Sequence, residues 1–221
     1  MKIFVKKRPL DYIVYSAIII LGVIVDQISK FLIISNMELR TEPPFDTIPI
    51  IKNFFHITFT TNDGMAFGMM DGPKERWIFL IVSTLAILAF GVYLYLGHAD
   101  NLLYGTALAM VVSGGIGNMI DRLGFGFYVN PETGLGEVID FIDFCGIWNA
   151  IFNIADSFVC VGAGLLVLAL IIDIIKDTKK KHEQSATEAL SDGEDTEVAD
   201  SAEGGKPEEC EAPENEDGKE E

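Results

Sequence analysis

Residues 114–156 read GGIGNMIDRLGFGFYVNPETGLGEVIDFIDFCGIWNAIFNIAD. This stretch sets Asp121, Asp140, Asp143 and Asp156, with Asn118, Arg122 and Asn153, beside or inside apolar runs long enough to cross a bilayer. An ionisable side chain at membrane depth costs about 2.5 kcal/mol or more, so each such residue is a functional-site candidate whose partner has to be named. For one aspartate here, the evident partner is another.

Working outward, residues 102–120 form a 19-residue apolar run whose Gly105, Gly114, Gly115 and Gly117 permit close helix approach. Residues 123–138 hold four glycines and Pro131 and read as a loop. Residues 151–172 form another span, polar only at Asn153 and Asp156 in its first turns. Towards the amino terminus, residues 77–96 are 20 residues without a charge, opened by Trp77 at the expected interfacial depth. Residues 12–34 are apolar except for Asp26, Gln27, Ser29 and Lys30, and at 1.5 Å per residue they cross a hydrocarbon layer of about 30 Å. Asp26 and Lys30 are four apart and share a helical face, where they pair with each other or with a neighbouring helix, or else snorkel at the interface. Residues 35–76 cannot span, because Pro43, Pro44, Pro49 and several charges interrupt them. Within them FFHITFT alternates as a strand does and is closed by Asn62-Asp63-Gly64.

The expected fold is therefore an all-α membrane protein of four transmembrane helices, with a small extracytoplasmic β-containing subdomain between the first two. Lys2, Lys6, Lys7 and Arg8 precede the first span, and Lys176, Lys179, Lys180 and Lys181 follow the last. By the positive-inside rule both termini are cytoplasmic. Every polar cluster named above then falls at the outer leaflet.

The net charge of −17 belongs mostly to one end of the chain. From His182 onward, 16 acidic residues stand against Lys206 and Lys219, with no aromatic residue among them, so residues 182–221 read as a disordered acidic cytoplasmic tail after a membrane domain over 1–181. Cys145, Cys160 and Cys210 show no CxxC or CxxH spacing, and His56, His98 and His182 stand near no other ligand type in the sequence. Neither a zinc site nor a disulfide framework is suggested. The first apolar run is too long for a cleavable signal peptide and lacks a small-residue cleavage site.

If Asp140 and Asp156 face each other, desolvation and like-charge repulsion both resist double ionisation, and the pair holds one shared proton. That is the arrangement of an aspartic protease. It requires no covalent nucleophile, metal or other cofactor, and the chain has no GxSxG or HExxH.

Five motifs in order, DQISK (Asp26, Lys30), NDGMAFGM (Asn62, Gly64, Ala66, Phe67), GGIGNMIDR (Gly114, Asn118, Asp121, Arg122), VIDFIDF (Asp140, Asp143) and FNIADS (Asn153, Ala155, Asp156), resemble the lipoprotein signal peptidases, or signal peptidase II. The resemblance runs from about residue 12 to 175. It implies a bacterial inner-membrane aspartic endopeptidase that removes signal peptides from diacylglyceryl-modified prolipoproteins, cutting before the lipidated cysteine. It makes Asp140 and Asp156 the catalytic dyad, and gives Asn62, Gly64, Asn118, Arg122 and Asn153 to substrate binding. Asp26, Lys30, Asp121, Asp143 and Gly114 are supporting. The implied partners are the prolipoprotein and the lipid bilayer, with no nucleic acid, and the chain acts as a monomer. Two departures stand out: FYVNPETGLGE adds about ten residues between Arg122 and Asp140, and WNAIFN lacks a proline before its FN pair.

Other readings remain open at this point. Asp121 with Arg122 reads as an ion pair capping the third span, and Asp143 as a cap of the fourth. A small transporter or proton relay would also carry intramembrane Asp and Lys, although its ionisable groups belong near the midplane. A non-enzymatic assembly factor would use residues 35–76 and the tail as binding surfaces.

Overall fold

The computed structural model describes residues 9–40, 44–63, 73–96 and 102–200. Its elements are α1 (Pro9–Asn36), β1 (Thr47–Ile51), β2 (Phe55–Asn62), α2 (Pro73–Tyr95), α3 (Leu102–Arg122), β3 (Val138–Asp143), β4 (Ile151–Phe152) and α4 (Ile154–Asp200). By contact the chain divides into two units, residues 1–171 and residues 172–221.

In the first unit α1 opens with Pro9, whose missing N–H is no loss at a helix start, and Asp11 complements the helix dipole. Its buried residues Tyr15, Gly22, Asp26 and Lys30 form a stripe at helical spacing. That stripe meets α3, which is rich in small residues and is buried at Gly105, Ala107, Ala109, Ser113, Gly114 and Gly117. Small side chains let helix backbones approach where lipid supplies no hydrophobic drive. Ser113 Oγ reaches across to the Ile19 carbonyl at 3.0 Å, and Leu94 of α2 joins Tyr15, Leu108 and Ala109 in one apolar core.

Much of the remaining helix surface is apolar and exposed, including Ile20, Leu21, Ile24 and Ile28 of α1, Leu85 and Leu88 of α2, and Val161, Val167 and Leu168 of α4. In water so continuous an apolar surface would be an aggregation liability; against lipid it is the solvated face. Among the described residues three helices are long and apolar enough to cross a membrane: Pro9–Asn36, Leu102–Arg122 and Ile154–Gln184. In α2 the apolar stretch is shorter, Leu80–Tyr95.

The four strands form one antiparallel sheet in the order β1-β2-β3-β4. This corrects the expected all-α fold with a β-subdomain confined to residues 35–76, because half of the sheet comes from the segment between α3 and α4. Pro49, expected to interrupt structure, sits in β1, at the sheet edge where a missing N–H is tolerated. Asn53, at φ 58°, makes the left-handed turn into β2. Met37, Phe59, Ile139 and Phe141 form the apolar core of the sheet, with Ile154 of α4 packed against it.

Two further boundaries differ from expectation. Residues 151 and 152, expected to begin the fourth span, are strand β4, and α4 starts at Ile154. Residues 182–200, expected to be disordered, continue α4. They hold four Glu and three Ala and no proline, and near their start Glu183 makes an i,i+4 contact with Lys179 at 4.0 Å. Residues 201–221 lie outside the described residues.

Candidate active site

Asp140 enters the site from β3, a central strand. Its neighbours Ile139 and Phe141 point into the apolar core, so alternation along the strand sends the Asp140 carboxylate to the opposite face. There it is 2% exposed and accepts from Asn153 Nδ2 at 2.7 Å and from Asn62 Nδ2 at 3.1 Å, Asn62 being the last residue of β2. Burial, and then the charge of the Asp156 carboxylate, push the Asp140 carboxyl up to about 7 against the opposing pull of those amides and of Lys30.

Asp156 is the third residue of α4, and Asn153 immediately precedes that helix. The Asp156 N–H donates to Asn153 Oδ1 at 2.9 Å, and the Asn153 N–H donates to Asp156 Oδ2 at 3.1 Å. This reciprocal pair is a capping box with a carboxylate at its third position. The other carboxylate oxygen of Asp156 accepts from Asn118 Nδ2 at 2.8 Å. Asn153, wholly buried, also donates to Asn118 Oδ1 at 3.0 Å. One asparagine thus braces both aspartates, and a second locks onto the brace.

Behind this layer Lys30 is 0% exposed, with its ammonium 2.8 Å from Asp26, 2.6 Å from Asp121 and 3.1 Å from Asn118 Oδ1. Asp26 Oδ1 accepts from the Ala155 N–H at 2.9 Å, within the first turn of α4. Gln27 Nε2 lies 3.2 Å from the carboxylates of Asp26 and Asp121 and from the Gly117 carbonyl. Lys30 and Asp26 are therefore paired and buried and do not snorkel. A cation between two carboxylates at such burial stands only because every partner is in place.

Glycines in α3 make this convergence possible. A Cβ on Gly114 would run into the Ala155 carbonyl, and one on Gly117 would stand 2.6 Å from Asp26 Oδ2. Neither position has room for a side chain without moving α4 or α1.

The front of the site is a cleft of about 810 Å³ walled by α2, α3, α4 and the sheet, with Asn62, Asn118, Arg122, Asp140 and Asp156 on its surface. Ile87, Phe90, Val111 and Val159 make part of its wall apolar. A volume of that order accommodates a peptide-sized ligand. Arg122 also reaches the Asn118 carbonyl through Nη1 at 3.4 Å.

Of the residues singled out in the sequence, Asp26, Lys30, Asn62, Gly114, Asn118, Asp121, Arg122, Asp140, Asn153 and Asp156 come together in one network or on its cleft. Gly64, with Ala66 and Phe67, lies outside the described residues. In place of the expected pair with Arg122, Asp121 pairs with Lys30, whose buried ammonium stands 2.6 Å away, and Arg122 is among the residues lining the cleft. Asp143 is not a helix cap. It lies in β3, ten residues before Asn153, which takes that role, and it accepts from Thr58 Oγ1 at 2.8 Å. It stands at an odd offset from Asp140, with Phe141 and Ile142 between them, so it belongs to the other face of the strand. Gln27 was missed, although its place beside Asp26 in DQISK was the available signal.

The extra segment before Asp140 is a folded hairpin tip. Val129 bridges Gly136, the Asn130 side chain accepts from the Glu132 and Thr133 N–H groups and donates to Glu137 at 2.7 Å, and Phe127 packs on Phe31 of α1 at 5.4 Å between ring centres.

Comparison with known proteins agrees with this architecture. A family model described as signal peptidase (SPase) II matches residues 18–172. The lipoprotein signal peptidase of Clostridioides difficile (strain 630) is 40% identical over 155 residues, covering 70% of this chain and 92% of that protein. That of Bacillus subtilis (strain 168) is 37% identical over 172 residues, 77% of this chain and 99% of that protein. A solved bacterial membrane enzyme, determined by the in meso method at 1.9 Å resolution, superposes with a TM-score of 0.58 at 33% identity, covering 71% of this chain and 92% of its own. With its match running from α1 through the membrane part of α4 and taking in every element that carries the network, the chain belongs to the signal peptidase II family.

Proposed function

We propose that this protein is a membrane aspartic endopeptidase that removes the signal peptide from diacylglyceryl-modified prolipoproteins, cutting just before the lipidated cysteine. The observation that carries the reading is the pair of carboxylates, Asp140 and Asp156, on one cleft wall, cross-braced by Asn118 and Asn153, with Asp140 kept protonated towards neutral pH. In the reaction Asp156 accepts a proton from the attacking water, while Asp140 donates its proton to the scissile carbonyl oxygen. On collapse of the tetrahedral intermediate the roles reverse and the leaving amine is protonated. Asn62 and Asn153 hold Asp140 in place, and Asn118 holds Asp156. Arg122 stands on the cleft wall where it can donate to substrate carbonyls.

The substrate suits the setting. A signal peptide is an apolar helix, and a diacylglyceryl group is an anchor at membrane depth; the apolar cleft wall from α2, α3 and α4 offers both a matching surface. The bundle carries four spanning helices, α2 included, with both termini cytoplasmic and the dyad at the outer leaflet. Residues 1–181 form the peptidase domain and residues 182–221 an appended acidic tail. A monomer suffices, since all the named groups come from one chain.

The test is cleavage of a prolipoprotein with and without its diacylglyceryl group by purified protein in detergent, with the products read by mass spectrometry. The reading predicts a cut before the cysteine of the modified substrate, at least a hundredfold faster than of the unmodified one. Equal rates on both would remove the lipid from the specificity, and a cut elsewhere would remove the assigned site.

A further inference from the structure

On the face of the sheet away from the dyad, three residues of different donor types meet. His56 of β2 stands directly opposite Asp143 of β3 in the strand register, and Cys145 sits in the turn that follows the end of β3 at Asp143. One ligand atom of each lies within 4.8 Å of the others. We propose that His56, Asp143 and Cys145 form a binding site for a divalent transition metal of the zinc class.

The chemistry favours such an ion. One imidazole, one carboxylate and one thiolate are a borderline-soft donor set, and their summed charge of −2 neutralises a divalent cation. Ligand atoms around tetrahedral zinc stand about 3.2–3.8 Å apart, given bonds of about 2.0–2.3 Å, so a closing movement of about an ångström completes the site, and the fourth position is left to water. Three features point the group towards a ligand. His56 Nε2 is buried and makes no hydrogen bond among the described residues, an unfavourable state that a bound ion would relieve. The Asp143 carboxylate is held through Oδ2 by Thr58, whose hydroxyl is itself 3.1 Å from that of Thr47, and this chain orients the other oxygen as outer partners of metal ligands do. Phe144 packs between Phe54 and Phe55 at 6.2 and 5.6 Å, which fixes the segment that brings Cys145 back.

The site would act as a clamp. His56 lies on the strand that ends in Asn62, and Asp143 on the strand that carries Asp140, so a bound ion would tie together the two strands that present one half of the dyad. The sequence gives no hint of it, because 87 residues separate His56 from Asp143 and no ligand pair has a metal-binding spacing.

The experiment uses the full chain in detergent, stripped with a chelator and titrated with Zn²⁺ or Co²⁺ alone. Wild type should take up one equivalent, raise its Tm, and with Co²⁺ develop a thiolate charge-transfer band in the near ultraviolet. Cys145→Ser should lose the band and weaken binding at least tenfold, and His56→Gln should weaken it to a similar degree; Cys160→Ser and Cys210→Ser should change neither. Thermal melts without metal establish that each variant is folded, and Cys145→Ser carries the test if His56→Gln is not. Absence of a saturable equivalent would overturn the proposal, as would binding and a band that survive Cys145→Ser, which would assign the ion to the acidic tail or another thiol. Neither result touches the peptidase reading, which rests on the other face of the sheet.

Discussion

At the scale of single residues, Asp140 links protonation to both stability and activity. Its carboxyl is pushed up to about 7 in the folded chain, against an ordinary value near 3.8. The folded state therefore holds this proton more tightly than the unfolded chain does. The stabilisation is complete below about pH 4 and is lost as pH rises to about 7, a slope worth a few kcal/mol in all. Denaturant melts of wild type between pH 5 and pH 8 should show that decline, and Asp140→Asn, which cannot ionise, should not; parallel profiles would remove the buried charge from the account. Cleavage should decline over the same upper limb, since the acid that donates to the carbonyl is then lost. Asn153 is as constrained as the aspartates it braces. Replacing it with Ala removes the α4 cap, worth about 1 kcal/mol, and leaves Asp140 short of a donor. A variant that is destabilised by about 2 kcal/mol and cleaves at least tenfold more slowly is expected, measured by melting and by single-turnover rate.

At the scale of elements, the helices meet where their polar residues pair. Lys30→Met would leave Asp26 and Asp121 buried without their cation, and should destabilise the protein by about 3–5 kcal/mol. Adding Asp26→Asn and Asp121→Asn should restore a good part of that loss, because the uncompensated charges go with them; a triple variant no better than Lys30→Met would refute the charge argument. Gly114→Ala tests contact instead of charge. Its methyl meets the Ala155 carbonyl, so a loss of about 1–3 kcal/mol in melts is expected, with slower cleavage because α4 carries Asp156. Helices of this kind were legible in the sequence because length and apolarity define them, and the ends of α1, α2 and α3 fall within three or four residues of expectation. The sheet was only half legible. FFHITFT announced β2, but TIPII contains a proline, VIDFID becomes a strand only when paired with β2, 80 residues earlier at the Thr60–Asp140 pair, and the two residues of β4 only when paired with β3. Pairing across that distance leaves no local signal.

At the scale of the whole molecule, the apolar exposed surface and the internal polar network are two consequences of one solvent. Lipid accepts the outward Ile and Leu of α1, α2 and α4, and it forces Asp26, Lys30, Asn118, Asp121 and Asn153 to satisfy one another inside. This is why the site residues could be found from sequence: in an apolar run, a polar side chain stands out. Where the surroundings were already polar the inference weakened, as with Asp143, whose partners Thr58 and His56 come from another strand. In the tail, an acidic composition without aromatic residues points to disorder, yet α4 continues to Asp200. Since the matched family region ends at residue 172, truncation after Lys181 should leave the cleavage rate within about twofold of wild type in detergent. A larger drop would make residues 182–221 part of the catalytic unit.

The most direct measurement is cleavage of a diacylglyceryl-modified prolipoprotein by purified wild type beside Asp140→Asn and Asp156→Asn, each confirmed as folded by its melt. The account predicts product from wild type only, with each variant at least a thousandfold slower, because neither carboxylate can play both acid and base. Turnover by either variant within tenfold of wild type would contradict the dyad and require a different group to activate the water.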